Sequence, residues 1–453
     1  MDALILSRIQ FALNIAFHFI YPPLSIGIGV FLVIMEGLYL KTKDRKYQQL
    51  TKFWVKIFGL TFALGVSTGL VQVFAFGTNW ARYSRFVGDV FGSALAFEGI
   101  FAFFLEAGFL GVLLFGWNKV KPSVHFLSTI CVCLGAHFSA VWIIVVNSWM
   151  QTPAGYKIIG EGENARAVVT DIWQVIFNPS SVDRLVHVLI ACWTAGAFFV
   201  LSVAAYYLLK KKHEEMAHKM VKIALPFAFV VLIMQLFSGD SSAKLVAKYQ
   251  PAKLAAFEGV FETKPYTPIS VAGWVDMENE KVYGLKIPAG LSLLTYHNPK
   301  TPVTGLDKFP KEEWPNVRVV FQTYHIMIAV WGLMFLISLI AMFYFWKGKL
   351  QEKRWLLWAM VFSVVLPQIA MQAGWFSAEM GRQPWVVYNL LKTASGVTKS
   401  LAPVQVISSI TMFLFIYILL FALFIFLLDR KIKHGPVDDD EEEARVYSDP
   451  YHT

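Results

Sequence analysis

Apolar residues along this chain fall in long unbroken runs rather than in helical stripes or alternating pairs. Nine runs, near 9–40, 53–76, 91–116, 124–149, 185–209, 221–238, 319–346, 355–376 and 404–428, approach or exceed the roughly twenty residues an α-helix needs to cross a bilayer. The pattern predicts an all-α polytopic membrane protein with nine transmembrane helices. Pro22 and Pro23 sit inside the first run and predict a kink there, with neighbouring helices satisfying the freed carbonyls. No internal repeat of the kind found in transporters is visible.

Composition agrees: 56% of the residues are hydrophobic and 16% aromatic, with a mean hydropathy of +0.53, against about 45–50% apolar in soluble domains. The net charge of +9 therefore reads as loop charge that sets topology, and nucleic acid is not an expected partner. Loops 41–52, 117–123, 210–222 and 347–354 and the end of the last run are rich in lysine and arginine, whereas 77–90 holds only Arg82 and Arg85. The positive-inside rule then places the N-terminus outside and the C-terminus in the cytoplasm, which an odd number of spans allows. The start, MDALILSRIQ, lacks a basic n-region and a small-residue cleavage site, so it is not read as a removable signal peptide.

Two outer segments are long, 150–184 and 239–318, and long loops are commonly functional. The chain divides into a six-helix membrane region (1–238), an outer loop (239–318), a three-helix membrane region (319–428) and an acidic cytoplasmic tail (429–453), whose acidic run from Asp438 is expected to be solvated and mobile. The three cysteines, Cys131, Cys133 and Cys192, lie within apolar runs and form no CxxC pair, so neither a disulfide framework nor a cysteine metal site is expected.

The predicted topology assigns depths. His18 lies near the outer start of the first span, His187 opens the fifth, Met327 sits in the first turns of the seventh, and Glu379 falls just past the eighth. Four potential iron ligands from four helices then share an outer layer about two helical turns thick. A His–Met pair gives a six-coordinate, low-spin haem, and a lone His or Glu leaves an iron position open. Each residue also has a plainer role: histidine and methionine in spans are often packing residues, and Glu379 can pair with Arg382 at a helix end. In the third span, Glu98 and Glu106 are eight residues apart, about 80° of helix rotation, so both can face one side as a proton relay or as a helix-binding pair of acids.

The stretches SRIQFALNIAFHF (7–19), TKFWVKIFGLTFALGVSTGL (51–70), FGTNWARYSRFVGDVFG (76–92), FEGIFAFFLEA (97–107), NSWMQTP (147–153), GDSSA (239–243), QPAKLAAFEG (250–259) and GWFSAEMGRQPW (374–385), in this order, resemble subunit I of the cytochrome bd family of quinol oxidases. The likeness covers nearly the whole chain. It implies the haem-bearing subunit of a terminal respiratory oxidase in the bacterial cell membrane. Such an oxidase takes electrons from membrane quinol, reduces O2 to water and separates charge without pumping protons.

The resemblance also implies roles. His187 and Met327 correspond to the axial pair of a low-spin haem b (b558-type). His18 and Glu379 correspond to ligands of two high-spin haems, one b (b595-type) and one d, with the assignment between them open. Arg8 and Arg382 fit haem propionates, which suit a planar guanidinium. Trp375 corresponds to an aromatic between haems, and Glu98 and Glu106 to proton-carrying acids. Lys253 and Glu258 correspond to quinol-site residues, which makes 239–318 a quinol loop of the short type. His325 stands where many relatives carry an arginine. A second large subunit, and often a small single-span one, are the implied partners. Two rival classes remain: a cytochrome that only passes electrons, which would not bind carbon monoxide, and a proton-coupled transporter, which would show no haem spectrum.

Overall fold

The computed structural model describes residues 2–436, so the acidic run expected to be mobile, from Asp438 onward, lies outside the described residues. Among those described, nine helical segments are long and apolar enough to cross a membrane: Ala3–Thr42, Arg45–Thr78, Ala81–Phe115, Pro122–Gln151, Ser181–Lys210, Glu214–Tyr249, Val317–Trp346, Arg354–Met380 and Pro403–His434. They match the nine predicted runs, and most extend beyond them, because helices continue into the polar ends that hydropathy leaves out.

Three spans depart from straight α-helix. The first is two helices, Ala3–His18 and Tyr21–Thr42, broken at Phe19 and Ile20, with Pro22 and Pro23 in the first turn of the second piece. Proline is tolerated there because that turn's N–H groups lack helical partners anyway. Two carbonyls beside the break are served by the eighth span: Gln368 donates to Ile20 O at 3.2 Å and Gln372 to Ala16 O at 2.7 Å. The third span carries a π-helical stretch at Glu98–Phe103, a feature frequent at functional sites. The eighth passes through a 3-10 turn at Ser363–Val365, and its last helix, Leu366–Met380, contains Glu379 rather than ending before it.

The fifth span is the hub. In its most apolar stretch 78% of residues are buried, against 11% in the ninth span. Small residues let it approach its neighbours closely: a Cβ on Gly27 would lie 2.4 Å from Cys192 O, and one on Gly196 would lie 2.4 Å from the Gly27 carbonyl carbon. The first and fifth spans therefore touch backbone to backbone.

The outer segments are ordered around the bundle rim. Residues 150–184 hold an antiparallel pair, Tyr156–Ile159 with Arg166–Val169. In the longer segment the sixth helix runs on to Tyr249, followed by the short helix Pro251–Glu258. Pro251 opens that helix, and Gly259, at φ 65°, closes it in the left-handed conformation glycine adopts most readily. A hairpin, Ile269–Asp276 with Lys281–Ile287, packs beside it, and Gly259 leaves room for Val282. After the eighth span a small pair, Trp385–Val387 with Leu391–Lys392, is tied to the end of the fourth span by the Tyr388 N–H to Met150 O bond of 2.9 Å.

Candidate haem and quinol site

His18 ends the first helical piece. Its Nδ1 lies 2.9 Å from Thr68 Oγ1, and the Thr68 hydroxyl donates to Leu64 O at 2.8 Å. With that proton committed, the Nδ1–H donates to Thr68, and the Nε2 lone pair is left available to an electrophile. Gly69 leaves room for the ring: a Cβ there would be 3.2 Å from His18 Cε1.

His187 repeats the arrangement. Its Nδ1 lies 3.0 Å from Ser238 Oγ, whose hydroxyl donates to Gln235 O at 3.1 Å. Unlike His18, this ring also meets a side-chain amide: the Gln235 nitrogen stands 2.9 Å from His187 Nδ1 and 3.0 Å from its Nε2, and the Gln235 carbonyl oxygen is buried without a partner.

Met327 lies against the eighth span, where a Cβ at Gly374 would meet its sulfur at 2.7 Å. Trp331, one turn deeper, donates to Leu232 O at 3.1 Å. Leu232 is in turn about one turn deeper than Gln235, so His187 and Met327 flank the same level of the sixth span. His325 does not compete as a ligand. Its Nδ1 lies 2.8 Å from Phe321 O and its Nε2 2.9 Å from Ser270 O, so the ring fastens the hairpin to the seventh span.

Glu379 is paired, and its pair is buried rather than exposed at the surface. Its Oε2 accepts from Arg382 Nη2, and the two side chains are 18% and 3% exposed. Its Oε1 accepts from Asn147 Nδ2 at 3.1 Å and from Gln151 Nε2 at 3.3 Å. Asn147 Oδ1 accepts from Arg184, and Gln151 Oε1 accepts from Lys253. Two guanidiniums, Arg184 and Arg382, and the Lys253 amine thus gather around one carboxylate. Arg382 Nε and Nη1 and Arg184 Nε are buried with no partner. Buried guanidinium donors are costly to leave unpaired, and these are suited to further carboxylates. Arg8 reaches the same helix end, with Nη2 3.7 Å from Met380 Sδ. Trp375, half-buried, lies one turn inward of Glu379, its ring 5.2 Å from Phe376.

Lys253 and Glu258 lie in the outer segment but are not loop-surface residues: they are 2% and 3% exposed. Five residues apart, they leave the short helix about 140° from one another. Lys253 packs its stem where Gly381 has no side chain and also donates to Gln250. Burial, with Arg184 and Arg382 nearby, holds its ammonium well below the usual lysine range. Glu258 turns toward the seventh span. It accepts from the Ser270 N–H at 3.2 Å and is hydrogen-bonded to Tyr324, and burial pushes its carboxyl up to about 7 against the opposing pull of those bonds. Phe257 stacks on Tyr324 at 4.6 Å.

Glu98 and Glu106 both face the fourth span despite the intervening π turn. Ser139 donates to Glu98 at 2.6 Å, and Gly135, one turn away, leaves room for Glu106. Arg184, Asn147, Gln151 and Tyr324 were not singled out from the sequence. Asn147 and Gln151 lie one turn apart within NSWMQTP, and Arg184 is a charge one turn before His187 at the head of an apolar run; both were available signals.

The donor set fits haem: two histidines oriented by hydroxyls, a thioether, a carboxylate, and unpaired buried arginine donors. Fold and site together define an integral membrane protein whose buried donors suit haem. The family described as cytochrome bd terminal oxidase subunit I matches residues 6–436. The chain is 36% identical to cytochrome bd ubiquinol oxidase subunit 1 of Bacillus subtilis, over 100% of this chain and 98% of that protein. It is 34% identical to cytochrome bd-II ubiquinol oxidase subunit 1 of Escherichia coli, over 96% and 97%. Its fold matches bd oxidase from Geobacillus thermodenitrificans with a TM-score of 0.88 at 32% identity, covering 96% of this chain and 99% of that one. The chain belongs to the cytochrome bd terminal oxidase subunit I family. It is a multi-pass oxidoreductase of the cytoplasmic membrane, of a family that carries haem and works in multi-subunit complexes.

Proposed function

We propose that this chain is the haem-bearing subunit of an oxidase that oxidises membrane quinol and reduces O2 to water. The observation that carries the reading is the excess of buried cationic donors around Glu379, which leaves Arg184 and Arg382 atoms for the carboxylates of a bound group. In this reading His187 and Met327 would hold a low-spin haem b, while His18 and Glu379 would hold two high-spin haems, one b and one d. Haem, when bound, supplies the electron transfer and the oxygen chemistry.

The chain's own residues do the rest. Arg8, Arg184 and Arg382 bind propionates, and Trp375 packs between the haem positions. Lys253 and Glu258 bind the quinol head group, and Glu258 accepts a quinol proton. Glu98 and Glu106 pass protons from the cytoplasmic side toward the outer haem layer along the fourth span. With the N-terminus outside, quinol protons leave on the outer side and those for water come from the cytoplasm, so charge separates without a pump. The organisation is a six-helix region (1–238), a quinol loop (239–318), a three-helix region (319–428) and a cytoplasmic tail (429–453). A second large subunit and a small single-span subunit complete the complex. A reduced-minus-oxidised spectrum with pyridine haemochrome analysis, beside quinol-dependent oxygen uptake, tests the reading. A purified complex with no haem or no quinol-driven uptake would overturn it.

A further inference from the structure

Glu36 and His125 are a buried ionisable pair that the site above does not use. Each is 1% exposed, inside the first and fourth spans. His125 Nδ1 lies 2.6 Å from Glu36 Oε1, the Thr129 hydroxyl donates to Glu36 Oε2 at 2.5 Å, and His125 Nε2 lies 3.2 Å from Leu113 O of the third span. A buried carboxylate within a span is costly, and such residues commonly mark ion or proton paths.

Its position gives the pair a direction. On the fourth span, Ser139 meets Glu98, Gly135 meets Glu106, and Thr129 and His125 meet Glu36. Ionisable groups therefore follow one helix from Ser139 to His125, a rise of about 21 Å. At the His125 end the Trp117 ring covers the imidazole at 3.9 Å, and Lys52 lies 5.4 Å over that indole, so the pair stands directly beside the 117–123 loop. The step from Thr129 to Gly135 is about 9 Å of rise, a gap that a short file of water would bridge.

We propose that Glu36 and His125 are the entry relay for protons used in oxygen reduction, passing them from the 117–123 loop toward Glu106. The proposal rests on the oxidase reading and on the cytoplasmic placement of that loop. A proton taken up on the pair crosses the 2.6 Å contact between His125 and Glu36 and leaves toward Glu106, and each group returns to its starting state. A pair that only fastens three spans together would bind the haems and hold the fold but would not gate proton delivery.

The test uses the assembled oxidase. Glu36→Gln keeps an acceptor for Thr129 and a contact for His125 but cannot release a proton. Oxygen-consuming turnover should fall by about tenfold or more, with a larger solvent deuterium isotope effect. Haem content and the rate of anaerobic haem reduction by quinol, which consumes no protons, should stay at wild-type values. Glu36→Asp should restore much of the turnover. If Glu36→Gln fails to assemble, His125→Gln is read in the same assays. A haem-replete variant with wild-type turnover and isotope effect would overturn the proposal, as would slowed anaerobic reduction matching the loss of turnover. A wild-type complex with no quinol-driven oxygen uptake would overturn the oxidase reading and this proposal with it.

Discussion

Met327 occupies the space of the side chain that Gly374 lacks: a Cβ at Gly374 would stand 2.7 Å from the methionine sulfur. Thioether position is thus set by the backbone of the eighth span. Gly374→Ala should displace the sulfur and convert the low-spin haem to high spin without loss of haem. Met327→Leu, which keeps volume and removes sulfur, should do the same, and His187→Ala should abolish the low-spin spectrum. An unchanged low-spin spectrum in Met327→Leu would remove Met327 as a ligand.

Glu379 calls for a different readout. Its pair with Arg382 is buried, so Glu379→Gln leaves a buried cation unpaired and costs about 3–5 kcal/mol of stability whatever else the carboxylate does. Thermal stability alone therefore decides nothing. The expected outcome is loss of one high-spin haem and most oxygen uptake, with the low-spin signal at His187 and Met327 retained. Arg382→Gln should lower haem occupancy without changing ligation. Full haem content and normal uptake in Glu379→Gln would return the residue to a structural ion pair.

Quinol oxidation should depend on pH through Glu258. Its carboxyl titrates near 7 because burial opposes its charge, and only the deprotonated form accepts a quinol proton. The rate should therefore rise as pH increases through about 7, and Glu258→Gln should lower quinol oxidation and flatten that limb while haem content holds. Stability runs the other way: a carboxyl raised in the fold favours it at low pH and loses that contribution as pH rises through about 7. A pH profile unchanged in Glu258→Gln would remove this role.

The acids of the third span divide by burial. Glu106 is buried and Glu98 is half-buried with a bond from Ser139. Glu106→Ala should slow oxygen reduction with haems retained, and Glu98→Ala should slow it and lose a high-spin haem. Wild-type turnover in both would end the relay idea.

Long apolar runs made the nine spans legible, because bilayer crossing imposes a length that hydropathy reads directly. Pro22 and Pro23 marked the break in the first span. Helix ends were less legible: Glu379 lies within its helix because a polar last turn has no hydropathy signal. Hydropathy also gave no hint of the π turn at Glu98–Phe103 or of the three hairpins, which depend on contacts distant in sequence. Lys253 looked like a loop residue because its burial comes from Gly381 and Gln151, far along the chain. The role of Arg184 is not legible in the sequence because it depends on Asn147, which the fourth span brings to it.

The backbone contact between Gly27 and Gly196 has a mechanical consequence. His187 lies nine residues from Gly196 along the fifth span, about 13 Å from the crossing point. The crossing is a fulcrum and the outer half of the helix a lever arm, so a rotation of a few degrees there moves the imidazole by about 1 Å. Gln368 and Gln372 brace the break at Phe19 and Ile20, so the first span carries His18, nine residues from Gly27, on an arm of about the same length. Both histidines are thus mounted on arms of one crossing, and a disturbance at Gly27 and Gly196 would move the two together.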